Sequence, residues 1–304
     1  MGFVRRNLLY NKSMLKKLKT FIILPFLFTG LLSCSLAGLG YRYGDWIIKK
    51  KIMEIIKLYS PQQKRLEAVL DEYMIWHKKE MLPKYKKEIQ NASLRIKEID
   101  NKPLKADEVH DFLLKTRELY DLSFMPLGNR VAPILSELGK EQVERTHELI
   151  NRRLEKLKAK ANLSEKERLS ELQETWKDNL KEYLGSISPE QEKLILLHSP
   201  RILTSSKARF VRGVGQMKSF LAIYEENPLD TKEDKNKIKV YQKREKELKA
   251  FLKNWGKGNH YDTWRKETSL LIAKLSKTLD KKQQAAFNET LKSWQGYVQE
   301  MLDD

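Results

Sequence analysis

From residue 61 onward, apolar side chains recur at spacings of three, four and seven. That is the period of a helix with one buried face. Over 61–99 the stripe is Leu66, Val69, Leu70, Tyr73 and Trp76. Over 140–161 it is Val143, Ile150, Leu154, Leu157 and Ala161. Leu169, Leu172, Trp176, Leu180 and Tyr183 mark a helix over 164–184, and Phe287, Leu291, Trp294, Val298 and Met301 one over 281–302. No run alternates apolar and polar residues, so no sheet is expected. The fold class predicted is all-α, an elongated multi-helix bundle with kinked long helices. Pro83 should kink the first helix or end it near Met81. Pro126, Gly128 and Pro133 should interrupt a further segment, and Asn101–Lys105, Ser199-Pro200, Asn227-Pro228 and 256–259 read as boundaries. The stretch 230–250 is polar nearly all round. It is expected to be either an exposed helix braced by ion pairs or a poorly ordered one.

One local pattern recurs at helix starts. Tyr59-Ser60-Pro61-Gln62-Gln63, Leu138-Gly139-Lys140-Glu141-Gln142, Ile187-Ser188-Pro189-Glu190-Gln191 and Leu279-Asp280-Lys281-Lys282-Gln283 align without gaps. Leu163-Ser164-Glu165-Lys166-Glu167 is a fifth, with Glu in place of the last Gln. Ser60, Ser164, Ser188 and Asp280 are expected to cap the first-turn amides, and Gln63, Gln142, Gln191 and Gln283 to reach back to the cap's own amide. Pro61 and Pro189 suit the first helical position. The repeat reads either as well-made helix starts or as a binding motif.

The N-terminus differs in kind. Arg5, Arg6, Lys12, Lys16, Lys17 and Lys19 precede an apolar run of 14 residues, 20–33, and no acid lies among them. The order is that of a secretory signal, and the run is short of the ~20 residues a spanning helix needs. Leu31-Leu32-Ser33-Cys34 fits a lipoprotein processing site, with Cys34 the acylated residue; an uncleaved anchor is the alternative. The expected organisation is therefore a signal peptide over 1–33, a flexible tether over 34–44 and a helical body over 45–304, dividing into two sub-bundles near 200–230. Ten flexible residues reach roughly 18 Å, which keeps the body near the membrane surface.

Composition then narrows the partners. The chain has 59 basic and 41 acidic residues. Cleavage before Cys34 removes six of the basic ones, so 53 against 41 leaves +12. Such a surface suits lipid headgroups, cell-wall polymer or acidic proteins; export argues against nucleic acid. Cys34 is the single cysteine, so the body gains nothing from disulfides and must rely on its core.

Two resemblances follow from these motifs. The repeated apolar–Ser/Thr–x–x–Gln pattern in a basic, exported, helical chain resembles the periplasmic chaperones of the Spy/CpxP type, which bind unfolded clients without ATP. It covers about five residues per copy, and the chain is roughly twice as long as those proteins. A wider resemblance runs through the lipobox, the Gly-containing tether, Tyr43-Gly44-Asp45-Trp46, Ser60-Pro61-Gln62-Gln63, Trp76-His77-Lys78-Lys79-Glu80-Met81-Leu82-Pro83-Lys84-Tyr85 and Tyr183-Leu184-Gly185-Ser186-Ile187-Ser188-Pro189-Glu190-Gln191. These are similar to an uncharacterised family of bacterial lipoproteins whose domain has no assigned function. Lys78 departs from it, since arginine often follows the Trp-His pair there. By resemblance to enteric sorting, Ser35 after the acylated cysteine implies the outer membrane, facing the periplasm.

Candidate chemistry is sparse. Glu144-Arg145-Thr146-His147 has Glu-x-x-His spacing, yet a di-iron bundle needs a second copy and two further carboxylates. No two histidines stand four apart, no nucleophile elbow is present, and Gly213-Val214-Gly215 has no strand before it. No cofactor, metal site or catalytic residue is therefore expected. Trp76, His77, Lys84 and Tyr85 form the most distinctive stretch, read either as a groove lined by Trp76 and Tyr85 with His77 and Lys84 at its rim, or as a buried Trp76 beside a surface histidine. Lys207, Arg209, Arg212 and Lys218, interleaved with Phe210 and Phe220, read either as a basic face for an anionic polymer or lipid or as solvated surface. The expected function is non-enzymatic: a lipid-anchored periplasmic binding protein, chaperone-like toward unfolded or envelope proteins. The alternative is a scaffold docking cell-wall polymer, anionic lipid or a membrane complex through its basic surface.

Overall fold

A computed structural model describes residues 41, 43–229, 234–255 and 259–303, without the side chains of 156, 157, 159–161, 206–210, 234, 235, 259 and 260. The expected signal peptide, Cys34 and most of the expected tether lie outside the described residues. So do the side chains of Lys207 and Arg209. Among the described residues the structure is helical and has no strand. The helices are α1 (Gly44–Met53), α2 (Ser60–Glu80), α3 (Leu82–Lys97), α4 (Ala106–Ser136), α5 (Lys140–Ala161), α6 (Glu165–Leu184), α7 (Pro189–Glu225), α8 (Asp234–Lys253), α9 (Asn259–Ser276) and α10 (Lys281–Asp303).

The amphipathic stripes meet where the spacing predicts. Leu66 and Leu70 of α2 pack with Val131, Ala132 and Ile134 of α4, Tyr224 of α7 and Leu248 of α8. A second cluster joins Ile96 and Ile99 to Leu291, Trp294 and Tyr297 of α10. Ile202 of α7 with Leu271 and Leu275 of α9 forms another, against Trp176 and Leu180 of α6. Tyr183 meets Trp294 edge-on at 5.9 Å between centroids, a favoured aromatic geometry. Gly185 ends α6 with φ at +76°, a conformation glycine adopts without steric cost.

Three expectations are corrected. Pro126 and Pro133 lie inside α4, and Pro200 inside α7, rather than at boundaries. A proline costs a helix one hydrogen bond and a clash with the preceding turn, and packing along these 31- and 37-residue helices outweighs that local cost. The helix α7 runs unbroken through 200–225 as one rod roughly 55 Å long and ends at Glu225, within the region where a division was expected. The folded part also begins before Asp45, since the Tyr41 hydroxyl is bonded to His77.

The polar segment over 230–250 holds the largest departure. Its α8 buries Leu248 and also Arg244, which is 2% exposed. The guanidinium donates to the carbonyls of Asn227 (2.8 Å), Ser136 (3.2 Å) and Leu138 (2.8 Å). It lies 4.9 Å from the Tyr224 ring, whose hydroxyl donates to Leu135 O at 3.1 Å. Helix C-termini leave carbonyls without partners and concentrate negative potential. Arg244 answers both needs at the ends of α4 and α7.

Candidate functional site

The repeated helix starts are brought together in two pairs. The starts of α7 and α10 face each other across Gln191 and Gln283, which are 0% and 2% exposed. Each amide donates to the other's oxygen, at 2.8 and 2.9 Å. Each side-chain oxygen also accepts its own cap's amide, Ser188 N–H at 2.8 Å and Asp280 N–H at 3.2 Å. Gln191 Nε2 donates further to Thr278 O, and Gln283 Nε2 to Ser186 O. Ser188 Oγ and Asp280 Oδ1 accept the first-turn amides of Gln191 and Gln283. The result is a reciprocal amide clasp with each helix capped by its own and its neighbour's chain.

The starts of α2 and α5 form the second clasp, in a shifted register. Gln62 is buried here, not Gln63. Gln142 Nε2 donates to Gln62 Oε1 at 2.7 Å and to Lys57 O at 2.6 Å. Tyr59 N–H donates to Gln62, and Gly139 N–H to Gln142. Tyr59 therefore occupies the cap position, and Ser60 is the first helical residue without a capping bond. The cap assigned to Ser60 is corrected, because Leu58, 4% exposed, is the buried apolar residue that sets the register. Gln63 donates to Leu58 O as Gln284 does to Leu279 O, which aligns Gln62-Gln63 with Gln283-Gln284. The fifth start stays alone: Ser164 and Glu167 cap each other at the exposed surface.

The Trp76–Tyr85 stretch closes around its histidine. Spacings of three, four and eight residues bring Tyr73, Trp76, His77 and Tyr85 to one corner, where α2 ends at Glu80 and α3 restarts at Leu82. Tyr41 OH meets His77 Nδ1 at 3.1 Å and Tyr85 OH meets Nε2 at 3.3 Å. Tyr85 OH is also bonded to Ser123 Oγ of α4, and Tyr73 OH donates to Ser123 O at 3.3 Å. Neutral imidazole needs one donor and one acceptor, and tyrosine hydroxyls supply either. Burial pushes Tyr41, Tyr73 and Tyr85 upward, so they stay protonated. Trp76 is half-buried, with the Arg130 guanidinium 5.8 Å from its ring. Lys84 is not in this cluster; it is exposed and donates to Glu80 O at 2.7 Å, capping α2. Arg212 reaches across to Asn254 O at 3.5 Å, at the end of α8.

Burial pushes His77 down from 6.5 to about 4. The unfolded chain takes up this proton below pH 6.5, the folded chain only near pH 4. Stability is thus full above pH 6.5 and is lost as pH falls toward 4, by roughly 3 kcal/mol. Urea unfolding of wild type and His77→Gln at pH 7 and pH 4 checks this. The variant should lose less stability on acidification; equal losses would show that His77 is not held neutral.

Sequence reasoning missed Tyr41, Ser123 and Arg244 and placed the buried glutamine one position late, at Gln63; Tyr73 was legible in the α2 stripe, four residues before His77. His147 lies 3.4 Å from the Glu225 carboxylate of α7. Among the described residues no three His, Cys, Asp or Glu side chains gather as metal ligands would, and no helix is long and apolar enough to cross a membrane.

On one face of α4, a shallow, open depression of about 480 Å³ is lined by Leu114, Arg117, Glu118, Asp121, Leu122, Met125 and Pro126. Leu114 and Leu122 are 41% and 44% exposed. Arg117 grips Asp121 through two bonds of 2.7 and 3.1 Å and also donates to Trp255 O, so this wall is set in place.

No curated protein matches the chain, and no solved structure does. A family model matches residues 54–230, from the turn after α1 to just beyond α7. It takes in the clasp of Gln62 and Gln142, the His77 corner apart from Tyr41, and the α4 depression. That match covers more than half of the sequence, and the chain belongs to DUF6279, a family of unknown function.

Proposed function

We propose that this protein is a lipoprotein of the bacterial envelope, held through Cys34 on the outer membrane facing the periplasm, that binds apolar segments of unfolded or envelope proteins without catalysis. The observation that carries the binding reading is the α4 depression. Four of its seven lining residues are apolar, and two of these leucines are more than two-fifths exposed. Leu114 and Leu122, one beside the other along α4 and rimmed by charge, offer a contact of a few side chains to an apolar segment. The Arg117–Asp121 pair holds the rim before a client arrives, which lowers the ordering cost of binding. The non-catalytic part rests on the sequence, which offers no complete metal-ligand set, nucleophile elbow or phosphate loop.

The test is aggregation of an unrelated unfolded client, followed by light scattering, with wild type and Leu122→Lys. Leu122 is exposed, so the substitution should leave the urea midpoint unchanged. Wild type should slow aggregation and the variant should lose most of that effect. Equal activity of the two, or none in wild type, would overturn the reading. The scaffold alternative draws on the +12 charge and predicts instead a cell-wall or membrane partner released by salt.

A further inference from the structure

We propose that α1 lies against the lipid headgroups, with one outward stripe as its contact; this rests on the lipid-anchor reading. The observation is the division of the faces of α1. Ile48, Ile52 and, just beyond the helix, Ile55 turn inward and pack on the core beside Leu66 and Leu70. No residue of α1 is fully buried. Tyr43, Trp46, Lys50 and Met53 are exposed, the two aromatics 56% each. At 3.6 residues per turn these four fall within about 80° of one another.

The composition of the stripe selects the occupant. Tyrosine and tryptophan offer an apolar body and a polar edge, which suits the boundary between acyl chains and headgroups. Lys50 holds its ammonium 5.0 Å from the Trp46 ring, so a cation sits beside the aromatic, where lipid phosphates would lie. Lys49 and Lys51 are paired with Glu67 and Glu54, which leaves Lys50 as the cation of the stripe. Glu54, next along this side, is neutralised by Lys51 at 2.9 Å.

Chain length places the stripe within reach. Tyr41, where the described fold begins, stands seven residues after Cys34. Seven residues span at most about 25 Å extended and roughly 15 Å as a flexible chain. With Cys34 acylated, α1 is the first folded element the membrane surface meets. The α1 end of the chain is fixed to the body: Ile48 and Ile52 pack on the core, and Tyr41 is tied to His77. Contact at α1 therefore sets the orientation of the whole bundle.

Quenching of tryptophan fluorescence by brominated lipid tests this. Full-length processed protein, wild type and Trp46→Phe, is mixed with vesicles of brominated phosphatidylcholine with and without phosphatidylglycerol, and Cys34 is checked for lipid by mass spectrometry. Wild type should be quenched, and Trp46→Phe should lose most of that quenching at an unchanged urea midpoint. Lys50→Glu should weaken quenching several-fold with phosphatidylglycerol and little without it. Quenching that is equal in wild type and Trp46→Phe, or absent, overturns the proposal. A dimer on sizing that Trp46→Phe abolishes, without quenching, assigns the stripe to a second copy and overturns it too. A bare Cys34 removes the anchor reading alone, because the vesicles report α1 contact whether or not the chain is acylated.

Discussion

Arg244→Met should cost about 3–5 kcal/mol of folding stability, because three buried carbonyls lose their donor at about 1–3 kcal/mol each. Arg244 is 2% exposed and serves three carbonyls, Ser136, Leu138 and Asn227, with no carboxylate among these partners. Burial pulls its guanidinium downward, but arginine stays charged in proteins. Its charge is balanced by carbonyl dipoles at two helix ends and by the Tyr224 face. Methionine fills much of the volume yet leaves those oxygens dry, at about 1–3 kcal/mol each. Arg244→Lys should recover only part of the loss, since one ammonium cannot reproduce the planar fork. Urea or guanidinium unfolding measures both. A loss under about 1 kcal/mol for Arg244→Met would mean that water reaches these carbonyls and that the ends of α4 and α7 do not depend on Arg244.

The second large effect is expected at the clasp of α7 and α10. Gln191→Leu removes the exchange with Gln283 and strips partners from Ser188 N–H and Thr278 O. Each orphaned buried group costs about 1–3 kcal/mol, so a total near 3–5 kcal/mol is expected. Gln283→Leu should act likewise through Asp280 N–H and Ser186 O. In the double variant neither helix keeps a Gln side-chain amide without its partner, so the combined loss should fall short of the sum by more than about 1 kcal/mol, the coupling of residues in direct contact. Strict additivity in this cycle would show that the two amides do not recognise each other. Gln191→Glu should also fail, because a carboxylate oxygen would face Thr278 O and Gln283 Oε1. Glu167 is tolerated in the fifth start because that cap is exposed.

Both effects lie where local and distant information meet. The helix spans over 140–161, 164–184 and 281–302 agree with α5, α6 and α10 to within a residue or so. Periodicity, caps and glycine stops act within a few residues, and the sequence displays them directly. The Gln repeat was visible for the same reason. Its first copy was misread by one position because Gln62 and Gln63 stand side by side, and only the burial of Leu58 chooses between them. The Trp76-His77 stretch was visible as a motif. That it closes on Tyr41 and Ser123 depends on residues 36 and 46 positions away from His77 by number.

What the sequence determined by itself, then, is the all-α class, the capped starts of α5, α6, α7 and α10 and the ends of α5, α6 and α10, because each rests on forces between near neighbours. Tertiary structure alone decided three things. It paired four of the five starts into two clasps, since burying one Gln amide demands a second facing it. It carried α4 and α7 through Pro126, Pro133 and Pro200, since contacts along a long packed helix exceed the cost of a lost turn bond. It drew Arg244 out of a polar segment into the core, since the carbonyl ends of two helices that the sequence separates converge there and need a donor.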